Sequence, residues 1–135
     1  GMIQRPYVVM GLADAGAHAR QIMDASQPTF FLTHWVREKG MFTIEEAIRR
    51  LTSDTADLFG IKNRGRLTPG SKADVNVIDF DQLALHYPEM THDFPGGAAR
   101  WTQRADGYDT TIVNGQIYME SGQHSGALAG EMLRN

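Results

Sequence analysis

Residues 7–18 read YVVMGLADAGAH, and the reading of this stretch decides what kind of fold the chain carries. Tyr7-Val8-Val9-Met10 is a short continuous apolar run closed by Gly11. Such a run predicts a strand buried on both faces, the kind that parallel sheets use. Just beyond it, Asp14 sits between small residues, with His18 four positions on. An acid past the C-terminal end of a parallel strand stands where α/β barrels place ligands and bases. The other reading is a loop acid whose carboxylate caps a backbone turn. His18 falls in a predicted loop, so helical facing does not pair it with Asp14. It is either a hydrogen-bonded structural residue or a member of the same cleft. Asp24 is open in the same way, as a loop cap or a cleft residue.

Working outward, residues 11–27 are rich in Gly, Ala, Asp and Ser and read as a long loop. Pro28 suits the first turn of a helix through TFFLTHWVREK, and Gly40 suits its end. Phe31 and Trp35, with Leu32 and Val36, make its apolar face, and Arg37 and Lys39 complement the dipole in the last turn. Thr43-Ile44-Glu45-Glu46 matches a capping box, and Ile44, Ala47, Ile48 and Leu51 follow at helical spacing. Ser53 or Asp54 caps a further short helix ending at Leu58-Phe59.

After Gly60 the pattern turns to strand. ADVNVIDF (73–80) is rich in β-branched residues, and TTIVNGQIYM (110–119) places Asn114-Gly115 between two β-prone runs. Asn-Gly favours the type I′ turn of a hairpin. Residues 81–108 carry Pro88, Pro95, Gly96, Gly97 and Gly107 and read as an irregular excursion. The tail 121–135 is rich in Gly, Ala and Ser, with helical character only at its end. The chain therefore divides into a strand–loop–helix part at 1–60 and a β-rich part at 61–135 with a hairpin at 110–119, an α+β organisation. A single βα unit is not a fold, because a parallel strand needs neighbours.

Composition narrows the function. The 13 basic residues are dispersed in a chain of net charge −3, which argues against nucleic acid as a partner. With no cysteine there is neither a disulfide framework nor a thiolate metal site. No apolar run reaches the ~18 residues of a membrane span. No signal peptide is visible, so a cytoplasmic protein is expected. Gly1 ahead of Met2 reads as a residue left by tag removal. The sequence has no G-x-S-x-G elbow, Walker A loop or dinucleotide fingerprint. His34 lies inside the aromatic helix and reads as a hydrogen-bonded residue of that helix, while His86, His92 and His124 are scattered in predicted loops without ligand spacing. One carboxylate and isolated histidines do not make the three protein ligands of a catalytic zinc.

Taken in order, GLADAGAH (11–18), FLTHWVREKG (31–40), LTSDTADLFGI (51–61), RGRLTPGSKADVNVID (64–79) and HDFPGG (92–97) closely resemble the C-terminal part of N-acyl-D-amino-acid deacylases. These D-aminoacylases belong to the amidohydrolase superfamily. The 51–79 stretches resemble the end of many amidohydrolases, while DAGAH, LTHWVR and HDFPGG point to the D-aminoacylase branch. The resemblance runs from about residue 8 to residue 134.

It implies the last βα unit of a metal-dependent (β/α)8 barrel, joined to strands of a small C-terminal β-sandwich. Asp14 matches the acid after the last barrel strand. It would serve as general base, and as a metal ligand only in a complete enzyme, with zinc as the metal. The family's H-x-H motif, its bridging cysteine or lysine and its middle-strand histidines have no counterpart in this chain. The barrel is thus expected to be incomplete, and the chain alone to bind no catalytic zinc and to be silent. The expected partners are the missing N-terminal part of the enzyme and further copies of the chain, met through the exposed strand and helix. The alternative is a stand-alone structural module without catalysis.

Overall fold

Thr43 opens the most strongly signalled helix as its sequence dictates. Its Oγ1 accepts the Glu46 N–H at 3.2 Å, and a helix runs from Ile44 to Leu51. Glu46 does not return the bond in kind, since its carboxylate turns toward Arg50, 3.7 Å away. The computed structural model describes residues 1–16, 20, 21 and 23–132. In chain order the helices are α1 (Gln27–Phe30), α2 (Ile44–Leu51) and α3 (Ser53–Leu58). Between α1 and α2, Phe31–Glu38 continues α1 as an eight-residue π-helix. Its wider winding shows at the end, where the Lys39 N–H reaches the His34 carbonyl, five residues back, at 2.9 Å. None of the described helices is long and apolar enough to cross a membrane.

The strands are β1 (Val75–Ile78), β2 (Ala84–Leu85), β3 (Glu89–Phe94), β4 (Ala98–Thr102), β5 (Ala105–Asp106), β6 (Tyr108–Val113), β7 (Gln116–Glu120) and β8 (Gln123–His124). One antiparallel sheet has the order β1-β6-β7-β8, and β2-β5 and β3-β4 form two small antiparallel pairs. Asn114 and Gly115 take φ of 48° and 80°, both left-handed, as a type I′ turn demands. They set Val113 opposite Gln116 and Ile112 opposite Ile117. A second two-residue turn, Ser121-Gly122, joins β7 to β8 within the tail that read as irregular. His92 and His124, expected in loops, lie within β3 and β8, and His86 just after β2.

The core lies where the helices meet the β-rich part. Phe31, Leu32, Val36, Phe42, Ala47 and Leu83 form one buried cluster, and Ile78, Phe80 and Tyr108 pack against it. Polar contacts close the same seam. The Tyr108 hydroxyl meets Thr29 Oγ1 at 2.8 Å, and Arg37 Nη1 donates to the carbonyls of Leu83 at 2.7 Å and Phe80 at 3.0 Å. Charge-assisted bonds of this kind are stronger than neutral ones. Arg37 therefore does more than complement a helix dipole.

Three expectations from sequence need correction. Tyr7–Met10 is not a strand: Tyr7 lies in a turn, and Val8–Met10 pairs with no strand among the described residues. The apolar pattern predicts burial, yet none of Tyr7–Met10 is buried, because a parallel ladder and its cover form only when neighbours supply the opposing N–H and C=O groups. Residues 81–108 are not irregular, since they contain β2 to β5. Five of the six β3 residues are exposed, so the alternation that would announce a half-buried strand is missing. On α2, Ala47 is fully buried, yet Ile44 and Ile48 remain 39% and 37% exposed while Arg50 is only 7% exposed. The helix turns its cation inward because backbone carbonyls wait there.

Asp74 ties the hairpin to the rest of the chain. It accepts the Asn114 N–H at 2.8 Å and pairs with Arg64, which also donates to Asn114 Oδ1 at 2.9 Å. Partial burial raises its carboxyl pKa, but the Asn114 N–H and the Arg64 guanidinium outweigh that and hold it below the usual range. A depressed folded value adds stability that is complete above the unfolded value of about 3.9 and is lost as pH falls through the folded one. Asp74→Asn should therefore lower Tm near neutrality and flatten its decline between about pH 5 and pH 2. Thermal unfolding followed by circular dichroism across that range checks this; parallel Tm curves for the two proteins would contradict it.

Candidate functional site

Two hydrogen bonds hold the loop that carries Asp14, one within the loop and one to β4. Asp24 Oδ2 accepts the Asp14 N–H at 3.1 Å, so the structure brings these two predicted residues together. Asp24 thus has a capping role toward Asp14, while the Asp14 side chain is exposed. Further along, the Arg20 carbonyl accepts the Trp101 indole N–H at 2.8 Å, which holds the loop on β4. His18 lies outside the described residues.

Between the loop and the β3–β4 hairpin lies an open groove of about 500 Å³. Ala15, Gly16 and Met23 form one wall, and Phe94, Arg100 and Trp101 the other. Arg100 is held in the groove by a bidentate pair with Asp93, both contacts at 2.7 Å, and lies 5.6 Å from the centre of the Phe94 ring. The hydrogen bond from Arg100 keeps the Asp93 carboxyl below the ordinary range. The charge of Arg100 is met by Asp93, so the groove offers mainly apolar walls with one neutralised ion pair at its side. Sequence reasoning missed Trp101, Arg100 and Asp93. The signal was HDFPGG followed by an Arg-Trp pair, which reads as a loop until the Pro95-Gly96-Gly97 turn folds it into a hairpin.

A second groove, of about 390 Å³, lies along residues 8–11, ahead of Asp14. Val8, Val9 and Met10 face Phe30, Phe31 and Trp35 across it, and Arg50 lines it. Arg50 was also missed; the available signal was a cation at helical spacing from Ala47, on the side expected to be apolar.

Three of the remaining histidines, His34, His86 and His124, have local partners. His34 Nδ1 lies 2.8 Å from Glu38 and stacks on Phe30, consistent with a hydrogen-bonded residue of the helix. His86 lies 2.8 Å from Asp106, and His124 Nδ1 accepts the Gly126 N–H at 2.9 Å. Among the described residues no three His, Asp or Glu side chains converge as a metal site would require. These residues supply one exposed carboxylate, Asp14, on a loop whose Ala15 and Gly16 line the groove, and no whole metal centre among the described residues.

Comparison with known proteins gives this arrangement a setting. A sequence profile of the amidohydrolase family matches residues 1–119. The D-aminoacylase of Alcaligenes xylosoxydans xylosoxydans is 35% identical over 102 residues, covering 76% of this chain and 19% of that protein. A D-aminoacylase mutant crystallised with copper chloride superposes with a TM-score of 0.65 at 31% identity, over 80% of this chain and 21% of the other. A further D-aminoacylase structure, described for its binuclear metal centre, gives a TM-score of 0.62 at 32% identity over 76% of this chain and 20% of the other. The chain spans about a fifth of the length of these relatives.

Proposed function

Because the chain belongs to the amidohydrolase family, we propose that it supplies the C-terminal part of a metal-dependent enzyme that hydrolyses the amide bond of N-acyl-D-amino acids. The observation that carries the reading is Asp14, exposed on a loop held by Asp24 and Trp101; the residues next to it, Ala15 and Gly16, line the groove, while Asp14 itself does not. In this reading Asp14 takes the proton of the water that attacks the acyl carbon and passes it to the departing amine. Residues 1–60 are then the barrel-derived part and residues 61–135 the sandwich-derived part. A metal, zinc in this proposal, polarises the scissile carbonyl when bound. The described residues do not fit a complete centre, so its ligands would come mainly from the remainder of a longer protein, with Asp14 at its edge.

The apolar groove beside Val8–Met10 supports the same reading. Tyr7, the first residue of the segment that would be a barrel strand, is 81% exposed, and Leu12, just beyond it, is 98% exposed. Apolar surface of this kind marks an interface. The isolated chain is expected to cover it with a second copy. Light scattering at micromolar concentration should report at least a dimer, and a monomeric mass would sink the idea.

The functional test mixes this chain with the N-terminal portion of the longer protein in the presence of zinc and follows release of free amino acid from N-acetyl-D-amino acids. Hydrolysis by the mixture and by neither part alone is the expected result. A folded mixture without hydrolysis would favour a non-catalytic module instead.

A further inference from the structure

We propose that Arg50 is a positioning residue for Asp14; this rests on the reading of Asp14 as the proton acceptor. Arg50 Nη1 donates to the carbonyls of Ile3 and Val8, both at 3.2 Å. Among the described residues, these are the only hydrogen bonds tying residues 1–13 to another element. The two carbonyls lie on either side of the turn at Pro6-Tyr7, so one guanidinium fixes the stretch from Ile3 to Val8 against α2.

The surroundings argue against a mere space filler. Arg50 is only 7% exposed, its guanidinium lies 4.9 Å from the centre of the Phe42 ring, and its Nε is buried without a partner. Burying a guanidinium with an unmet donor is costly, and an apolar side chain of similar volume would fill the space without that cost. What only the guanidinium adds is a fork of donors directed at backbone. Six residues beyond Val8 stands Asp14, whose loop is held at its far side by Asp24 and Trp101. Arg50 completes the frame from the near side. Such a frame matters because a base must stay within hydrogen-bond reach of its proton, and a misplacement of about 1 Å can cost 10²-fold.

Arg50→Met removes the donors and keeps much of the volume; Arg50→Lys keeps one charged donor group. Amide hydrogen exchange in this chain reads the frame directly at Val8 and Asp14, whose N–H groups are bonded to Arg5 and Asp24. Exchange there should quicken about tenfold or more in Arg50→Met and less in Arg50→Lys, while Ala47 and Gly40, in and after the helices, report intact folding. In the longer protein, kcat should fall about 10- to 100-fold in Arg50→Met with KM nearly constant, and Arg50→Lys should recover part of it.

Unchanged exchange at Val8 and Asp14 overturns the inference whatever the enzyme does. Faster exchange with an unaltered kcat overturns the positioning role. A wild-type longer protein that hydrolyses nothing overturns the reading of Asp14 as base, and the exchange measurement then still decides whether Arg50 holds the segment.

Discussion

Gly107→Ala is expected to destabilise the chain by about 3–5 kcal/mol, from backbone strain and overpacking together. Gly107 has φ of 87°, where a side chain is strained. A Cβ there would lie 2.6 Å from Leu83 Cα, 2.7 Å from Leu83 N and 2.8 Å from the Asp79 carbonyl. All three are backbone atoms, so no side chain can swing aside. Leu83 is fully buried at the centre of the core, and the Gly107 carbonyl accepts the Asp79 N–H at 2.9 Å. Relief of the clash would therefore pull β6 from the loop that Arg37 holds. Against a typical total of 5–15 kcal/mol, a loss of this size leaves a chain that is marginal at 37 °C. Urea unfolding checks it: the midpoint should drop sharply at constant slope, and a midpoint close to wild type would show that the backbone accommodates the methyl group.

Under the proposed function, Asp14→Asn should lower kcat of the longer protein about 10²- to 10⁴-fold, the usual contribution of a general base. That range corresponds to about 3–5 kcal/mol of transition-state stabilisation. The substitution is a clean probe here. The bond holding the loop uses the Asp14 backbone N–H and the Asp24 carboxylate, and neither changes. The exposed side chain contributes no burial, so stability should stay within about 0.5 kcal/mol of wild type. Asp24→Asn is the natural control. Its amide oxygen can still accept the Asp14 N–H, so its effect on kcat should be far smaller. Steady-state kinetics on both variants distinguish a base from a cap. An Asp14→Asn enzyme that keeps more than about a tenth of wild-type kcat would remove Asp14 from the chemistry.

How far the sequence discloses the structure depends on whether each signal is local. Thr43 at the start of α2 and Asn114-Gly115 at the hairpin are local instructions, and the structure follows both. The Tyr7–Met10 run is different, because both the burial its apolar pattern predicts and the ladder that would make it a strand depend on neighbours. β3 hides for the opposite reason: its exposed polar residues leave no period to detect. At the site, Asp14 is legible because a lone acid after an apolar run is unusual. Of its supports, Asp24 is legible as a loop cap but not as the partner of Asp14, and Trp101 and Arg50 are not legible at all. The Asp24 and Trp101 contacts span 10 and 81 positions, and Arg50 reaches back 47 to Ile3. No pattern in a local window encodes pairs that the fold alone brings together.

The central claim, that Asp14 belongs to the site of an amide hydrolase selective for D-amino acids, is tested most directly with a racemic N-acetyl amino acid. The longer protein is incubated with it and the released amino acid is resolved by chiral chromatography. The account predicts release of the D-enantiomer until half of the substrate is consumed, abolished in Asp14→Asn. Release of the L-enantiomer, or of neither by a folded and metal-loaded protein, would contradict it.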